Sequence, residues 1–255
     1  GRAWSGWSRL ATPLESAVIL DPLTGRAGVA AVRGRAAAGR QIWLTLAPGE
    51  SLVLRTFADR QAEGQPWPWM QPAGQPLPIR GKWSVAAIAG GPELPPPFTT
   101  ARLGSWTEQG GEWERFAGTA RYELEFDLPA DLPADDWLLE LGDVREVARV
   151  AINGRPVETV WSLPLRARLR GAARPGRNRL TIDATNLAAN RIRDLDARGV
   201  AWKNFHEINF VDVHYKPFAA AGWPLATSGL LGPVQLVPLT EMQSTSGHHP
   251  ESAGK

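Results

Sequence analysis

The chain contains 255 residues, of which 43% are hydrophobic and 21% are charged, so it can bury one large core or two modest ones. Its formal net charge of +2 argues against a general affinity for nucleic acid or membranes. Cysteine is absent, which excludes a disulfide framework, a thiolate nucleophile and a cysteine-based metal site. No apolar run approaches the roughly 20 residues of a membrane span. The first residues show neither signal-peptide order nor an initiator Met, so we expect the chain to begin within a longer polypeptide.

Residues 1–60 contain four short apolar runs that turn signals separate. The first run ends in the sequence DPLTG at 21–25, where Pro presets φ and Gly accepts a positive φ. The last two runs are joined by APG at 47–49. Four strands with one apolar face are marginally stable alone. We therefore predict a partial β domain that completes an upstream unit and presents an apolar face.

Two segments lack strand patterning. Residues 61–80 hold five prolines and two glycines; because Pro fixes φ and removes a donor, they are predicted to form an extended linker. Residues 241–255 are polar, and we predict a disordered tail.

The region 81–240 alternates apolar and polar residues in short runs, as in a half-buried antiparallel sheet. Between residues 119 and 128, Tyr122, Leu124 and Phe126 fall on one face. The dipeptide Asn153-Gly154 is typical of a two-residue hairpin turn. One helical turn is allowed within 186–199, but no long segment has a period of 3.6. The predicted class is all-β, with a jelly-roll β-sandwich as the main domain.

Several polar side chains are candidates for carbohydrate contact. Arg145 and Glu146 follow a turn, and an Arg–carboxylate pair can orient a sugar hydroxyl or hold a loop against the sheet. Asn186, Asn190 and Arg191 follow the strand near 180–184; amides suit vicinal hydroxyls, but Asn also caps turns. Both interpretations remain open for each group.

The twelve tryptophans allow the same two interpretations, since a flat indole face suits a pyranose ring or a sandwich core. Trp106 and Trp161 are the candidates for exposed, sugar-contacting rings. Acidic residues occur in pairs, but the sequence places no pair across a cleft, so no catalytic residue is predicted.

The sequence predicts no metal site. His206, Glu207, Asp212 and His214 lie close together but do not have the spacing of a zinc-binding helix. An arginine-rich stretch at 166–179 alternates with apolar residues and is interpreted as the solvent face of a strand. We therefore expect neither a nucleic acid nor a membrane partner.

An ordered series of motifs is more specific than any single strand. It comprises GKWSV at 81–85, LGSWT at 103–107, FAGTARY at 116–122, LGDVREVA at 141–148, ING at 152–154, PGRNRL at 175–180 and TNLAANRI at 185–192. In order and spacing, residues 15–239 resemble the C-terminal part of bacterial α-L-rhamnosidases of glycoside hydrolase family 106.

The resemblance implies a galactose-binding-like β-sandwich that acts as an accessory part. In that family the barrel, its carboxylates and a calcium site lie N-terminal to the region matched here. Hydrolysis of terminal α-L-rhamnosides would occur there, by an inverting reaction, and this chain would carry no cofactor. Its partners would be the larger N-terminal catalytic part of the same gene product and rhamnose-containing glycans, and its location periplasmic or secreted. The alternatives are a stand-alone carbohydrate-binding module and a small independent glycan-active enzyme.

Overall fold

A computed structural model describes residues 2–35, 39–203, 211, 213–216 and 218–242. The chain divides into two compact units. The first comprises the described residues of Gly1–Gly74, Ser162–Pro164 and Leu239–Lys255, and the second comprises those of Gln75–Trp161 and Leu165–Pro238. The all-β prediction is confirmed in both.

The first unit contains two antiparallel three-stranded sheets, in the orders β1-β5-β4 and β3-β2-β6. The strands are β1 (Trp4–Arg9), β2 (Ser16–Leu20), β3 (Ala27–Val29), β4 (Val32–Arg33), β5 (Gln41–Leu46) and β6 (Val53–Phe57). The four predicted runs correspond to β2, β3, β5 and β6. Strand β1 was not predicted, because its WSGWSR sequence lacks a clean alternation; it is held by pairing with β5, where Trp7 and Trp43 stack edge to face at 5.4 Å.

The predicted linker contains two short strands, β7 (Met70–Pro72) and β8 (Leu77–Pro78). Both pair with β19 (Gln235–Glu241). Their prolines are tolerated because an edge strand need not donate every N–H group. These paired strands make part of the segment a hydrogen-bonded ladder rather than a free linker. The domain boundaries themselves stay predictions.

The second unit is a sandwich. Its larger sheet has the order β10-β9-β11-β17-β14-β15, and the other contains β16, β12 and β19 with β8 paired to β19. A separate pair joins β13 to β18. The strands are β9 (Trp83–Gly91), β10 (Phe98–Thr100), β11 (Ala117–Leu128), β12 (Asp136–Glu140), β13 (Asp143–Arg145), β14 (Val147–Ile152), β15 (Arg155–Val160), β16 (Arg166–Arg168), β17 (Gly176–Thr185) and β18 (Gly229–Gly232).

The alternation predicted for β11 is confirmed by burial. Tyr122 and Leu124 lie in a core that side chains from both sheets form. On the opposite face, Arg121 donates to both carboxylate oxygens of Asp183 on β17, at 2.7 and 2.9 Å. The hairpin is also confirmed, since Asn153, with φ of 53°, joins β14 to β15. The sequence therefore determines which face of the larger sheet is buried.

The described helical segments of the second unit are short. A 3₁₀ helix spans Trp106–Gln109, α1 spans Glu112–Arg115, and α2 spans Ala189–Ala197. Helix α2 lies within 186–199, where the sequence analysis allowed one helical turn. With nine residues, the helix is longer than one turn.

Candidate functional site

A pocket of about 340 Å³ lies between α1 and α2, and we call it the α1–α2 pocket. Its lining residues are Gly111, Glu112, Glu114, Arg115, Asn190, Arg193 and Asp194. Helix α1 directly precedes β11 and α2 follows β17. Because β11 and β17 are antiparallel neighbours, with Thr119 opposite Thr185, the start of one strand and the end of the other lie at the same edge. The sheet register thus brings together two helices that are distant in sequence.

Local sequence fixes the position of α1. Gly110 and Gly111 precede it with φ of 71° and 57°, values that glycine adopts without steric cost. Trp113 then lies in the core, where its indole N–H donates to the Pro96 carbonyl at 3.1 Å. With Trp113 buried, the neighbouring Glu112 and Glu114 lie at the pocket.

Three of the five charged side chains that line the pocket form a hydrogen bond or ion pair with another residue. Asp194 accepts from Arg191 at 3.2 Å and from Arg198 at 2.7 Å. Arg115 is ion-paired with Glu93. Arg193 donates through Nε to the Trp223 carbonyl at 2.8 Å, which orients its guanidinium and leaves its two outer nitrogens without a hydrogen bond to any described residue.

The side chains of Glu112 and Glu114 are different, because neither forms a hydrogen bond or ion pair with a described residue. Glu112 is half-buried and Glu114 is exposed. The pocket therefore offers two carboxylate acceptors on α1 and the outer guanidinium donors of Arg193 on α2.

Asn186 is held by the protein itself. It accepts from the Gly118 N–H at 2.9 Å and donates to the Phe116 carbonyl at 3.0 Å and to Ser228 Oγ at 3.1 Å. These bonds join the start of β11 to the segment before β18. They involve both polar atoms of the amide side chain, and contact of Asn186 with sugar stays a prediction.

Asn190 is also held internally, with a side chain that is almost fully buried. Its Oδ1 accepts from the Ala226 N–H at 2.7 Å, and its Nδ2 donates to the Ala226 carbonyl at 2.8 Å. Of the predicted sugar contacts, Asn190 is the one that lines the pocket. Arg191 lies on the same helix and pairs with Asp194. The observed bonds of Asn190 and Arg191 are to other parts of the protein and stabilise its fold.

The two candidate tryptophans have opposite environments. Trp106 is fully buried, with its ring centroid 5.7 Å from those of Trp113 and Phe116. The expectation that Trp106 is exposed was wrong, because the 3₁₀ helix turns it into the sandwich core. Trp161 is 61% exposed, and its contact with sugar stays a prediction.

Arg145 and Glu146 do not pair with each other. Arg145 donates to Asp143 at 2.8 Å. Glu146 is exposed, and its backbone N–H donates to the Thr185 carbonyl at 2.7 Å. The structure places neither in the α1–α2 pocket, and their role in binding stays a prediction.

The sequence interpretation missed the residues that give the pocket its uncommitted groups, Glu112, Glu114 and Arg193. Helix α1 is four residues long, too short to show a helical period. The glycine pair before it was a usable signal, since such a pair often marks a change of chain direction.

An aromatic cluster beyond α2 was also missed. Trp202 and Phe218 have ring centroids 5.9 Å apart, and Phe218 and Trp223 are 5.3 Å apart. Asp196 on α2 accepts from the Ala220 N–H and from the Trp202 indole, both at 2.6 Å. The hydrogen bond from Ala220, followed by that from Trp202, holds the pKa of Asp196 below its usual range. The carboxylate thus connects α2 to the segment before β18.

Three residues considered for metal binding, His206, Glu207 and Asp212, lie outside the described residues. Within the described part, no group of three or more His, Asp or Glu side chains is arranged to hold a metal ion. The described helices include none with the length and apolar character needed to span a membrane.

Comparison with known proteins shows what the chain is similar to. No family model matches it. A solved structure of a rhamnosidase from Novosphingobium sp. PP1Y has a TM-score of 0.66 and 25% identity, over 94% of this chain and 22% of that chain. A curated protein of Formosa agariphila whose provisional name is beta-glucuronidase is 30% identical over 192 residues, which are 66% of this chain and 16% of the relative.

A third likeness is weaker. The Bifidobacterium dentium beta-glucuronidase structure has a TM-score of 0.44 and 20% identity, over 66% of this chain and 30% of that chain, which is too little to support an inference. This chain spans a minor part of each relative's length. Its fold is related to that of glycoside hydrolases.

Proposed function

We propose that the chain is the C-terminal, non-catalytic accessory part of an α-L-rhamnosidase of glycoside hydrolase family 106. The observation that carries this proposal is the likeness to the Novosphingobium rhamnosidase, which extends over 94% of this chain but 22% of that chain. The ordered motifs between 81 and 192 point to the same family. The parent enzyme would hydrolyse terminal α-L-rhamnosides in the periplasm or outside the cell.

The arrangement of the acidic side chains in the α1–α2 pocket supports the proposal that hydrolysis occurs in another part of the parent enzyme. Glycoside hydrolysis uses two carboxyl groups on opposite sides of a sugar, about 5–9.5 Å apart. Glu112 and Glu114 belong to one short helix, and the acid contributed by α2, Asp194, is held by two guanidinium groups. The catalytic carboxylates and the calcium ion would belong to the larger N-terminal part.

The first unit supports a role in docking. Its buried hydrophobic cluster is small and consists of Leu14, Ala17, Ile19, Ala30 and Ile42. Small domains with so few buried side chains gain little stability from them alone. Trp4 is 54% exposed and Val53 is 51% exposed, so the unit retains apolar surface for the N-terminal part.

A stand-alone carbohydrate-binding module is the second candidate. The uncommitted groups of the α1–α2 pocket favour it, since a binding module needs a sugar site and no reaction centre.

Immunoprecipitation from the source cells tests the proposal. An antibody against this chain is used to capture the native polypeptide, whose mass is then measured. The captured material is assayed with 4-nitrophenyl α-L-rhamnopyranoside and 4-nitrophenyl β-D-glucuronide. We expect a polypeptide several times heavier than 27.7 kDa with rhamnosidase activity. Glucuronidase activity alone would overturn the rhamnosidase assignment, and a band at the mass of this chain would favour the binding module.

A further inference from the structure

We infer that the outer edge of β1 pairs with a β-strand from the N-terminal part of the same gene product. That strand would extend the β1-β5-β4 sheet of the first unit through backbone hydrogen bonds, the mode of recognition known as β-augmentation. The inference rests on the proposed function only in taking the native polypeptide to be longer than this chain. It adds to the docking role the edge that is used and the groups that pair.

The register of the sheet shows which backbone groups of β1 point away from it. On β5, the Trp43 N–H donates to the Ala31 carbonyl at 3.0 Å, on the side of β4. Trp43 lies opposite Trp7 of β1, so Trp43 and Trp7 exchange no backbone hydrogen bonds. Bonded and non-bonded pairs alternate along an antiparallel ladder, and the N–H and C=O groups of Ser5 and Trp7 therefore point outward. Among the described strands, none pairs with this outer edge.

Strand β1 lacks the features that protect the other edge strands. Its six residues, WSGWSR, include no Pro or Lys, and their single charge is on the last residue, Arg9. Strands β6 and β15 are also edges of five and six residues, but β6 carries Arg55 at its centre and β15 carries Pro156. The other described edge strands have no more than four residues. Since proteins use Pro, charge and short length to prevent edge pairing, β1 is suited to accept a partner strand.

The hydrophobic core beneath β1 is incomplete. Ser8 lies opposite Ile42, a buried member of the core cluster of the first unit. Because side chains alternate along a strand, Trp4, Gly6 and Ser8 share this core face. Trp4 is nevertheless 54% exposed, and the other two positions contribute little apolar area. A strand beside β1 with an apolar side chain next to Trp4 would extend the core, so the partner strand should alternate apolar and polar residues.

The N-terminal part is favoured over a second copy of the chain as the source of this strand. The likeness to the Novosphingobium rhamnosidase covers 22% of that chain, so most of a parent of similar length would be available to supply it. Covalent linkage gives a strand of the same polypeptide a high effective concentration. A second copy lacks this advantage, and the experiment below distinguishes the two.

Hydrogen exchange resolved to single residues by mass spectrometry tests the inference. It is measured on the 255-residue chain at several concentrations and on the full-length gene product. In the chain alone, the amides of Gly6 and Ser8, which face β5, should exchange slowly, and those of Ser5 and Trp7 should exchange rapidly. In the full-length product, we expect the Ser5 and Trp7 amides to exchange at least about 100-fold more slowly than in the chain alone.

The variant Ser5→Pro separates edge pairing from the folding of β1. Proline removes an N–H group that faces outward, so the β1–β5 ladder is retained. In the full-length product, this variant should return the Trp7 amide to the rapid exchange of the chain alone. Slow exchange at Gly6 and Ser8 in the same sample would show that β1 itself remains folded.

A matched control is Thr56→Pro on β6. Thr56 lies opposite Ala17, whose carbonyl accepts from the Ala30 N–H on the side of β3. The Thr56 N–H therefore points away from β2, and the substitution removes an outward-facing N–H from another edge strand. It should leave the exchange of the Trp7 amide in the full-length product unchanged.

Two results would overturn the inference. One is exchange at Ser5 and Trp7 that is equally rapid, or equally slow, in the chain alone and in the full-length product. The other is slow exchange in the chain alone that depends on its concentration, which would identify a second copy as the partner. A full-length rhamnosidase with rapid exchange at these amides would leave the proposed function intact, and a full-length glucuronidase with slow exchange would leave the edge pairing intact.

Discussion

Replacing Asn190 by alanine distinguishes an internal anchor from a ligand contact. The side chain is 2% exposed and forms a two-way pair with the Ala226 backbone at 2.7 and 2.8 Å. Each lost hydrogen bond costs about 1 kcal/mol net, and a buried group left without a partner costs about 1–3 kcal/mol. Asn190→Ala should therefore lower the free energy of unfolding by about 2–4 kcal/mol.

The assay is urea and thermal denaturation, followed by circular dichroism and tryptophan fluorescence. For a domain of this size the loss corresponds to a fall in Tm of roughly 4–16 °C. The control is Arg191→Gln at the next residue of α2, which loses one ion pair with Asp194 and should cost less than about 1 kcal/mol. An Asn190→Ala chain with unchanged stability that no longer binds methyl α-L-rhamnopyranoside would refute the anchor role and restore the amide as a sugar contact.

Three further predictions follow from buried or perturbed groups. Gly229→Ala should unfold the second unit at a lower temperature, because its Cβ would lie 2.4 Å from Tyr122 Oη and its φ is +99°; an unchanged melting curve would count against this packing. Burial raises the pKa of Tyr122, and the hydrogen bond from Leu230 offsets only part of this rise. The neutral Tyr122 hydroxyl therefore contributes its full share to the free energy of unfolding below about pH 10, and that share falls as the pH rises further. Between pH 8 and 11, the urea midpoint of Tyr122→Phe should decline less than that of the unmodified chain. Equal declines in the two chains would exclude the ionisation of Tyr122 as the cause. The Ala220 hydrogen bond lowers the pKa of Asp196. The Asp196 carboxylate therefore contributes to the free energy of unfolding above about pH 4, and this contribution is lost as the pH falls. Acid titration of Asp196→Asn, followed by tryptophan fluorescence, should show a smaller change than the unmodified chain.

Much of the fold could be predicted because local patterns and the tertiary structure agree. Alternation along β11 identified Tyr122 and Leu124 as core residues, and Asn153-Gly154 identified a hairpin. These signals depend on neighbouring residues and on backbone preferences that the sequence shows directly. Strand β1 is different, because it is stabilised by its register with β5 rather than by a pattern of its own.

The pocket could not be predicted in the same way. Glu112 and Arg193 are far apart in sequence, and they meet only because β11 and β17 pair in antiparallel register. The amide of Asn190 suits a sugar and a backbone peptide equally well, so only the position of Ala226 shows which partner it has. Burial of Trp106 likewise depends on a 3₁₀ helix that the composition does not reveal.

Turnover by the purified chain alone tests most directly the claim that the reaction occurs elsewhere. At high protein concentration with 4-nitrophenyl α-L-rhamnopyranoside, we expect no release of nitrophenol above the buffer rate. Sustained release that Glu112→Gln or Asp194→Asn abolishes would contradict the account, because it would place a reaction centre in the α1–α2 pocket.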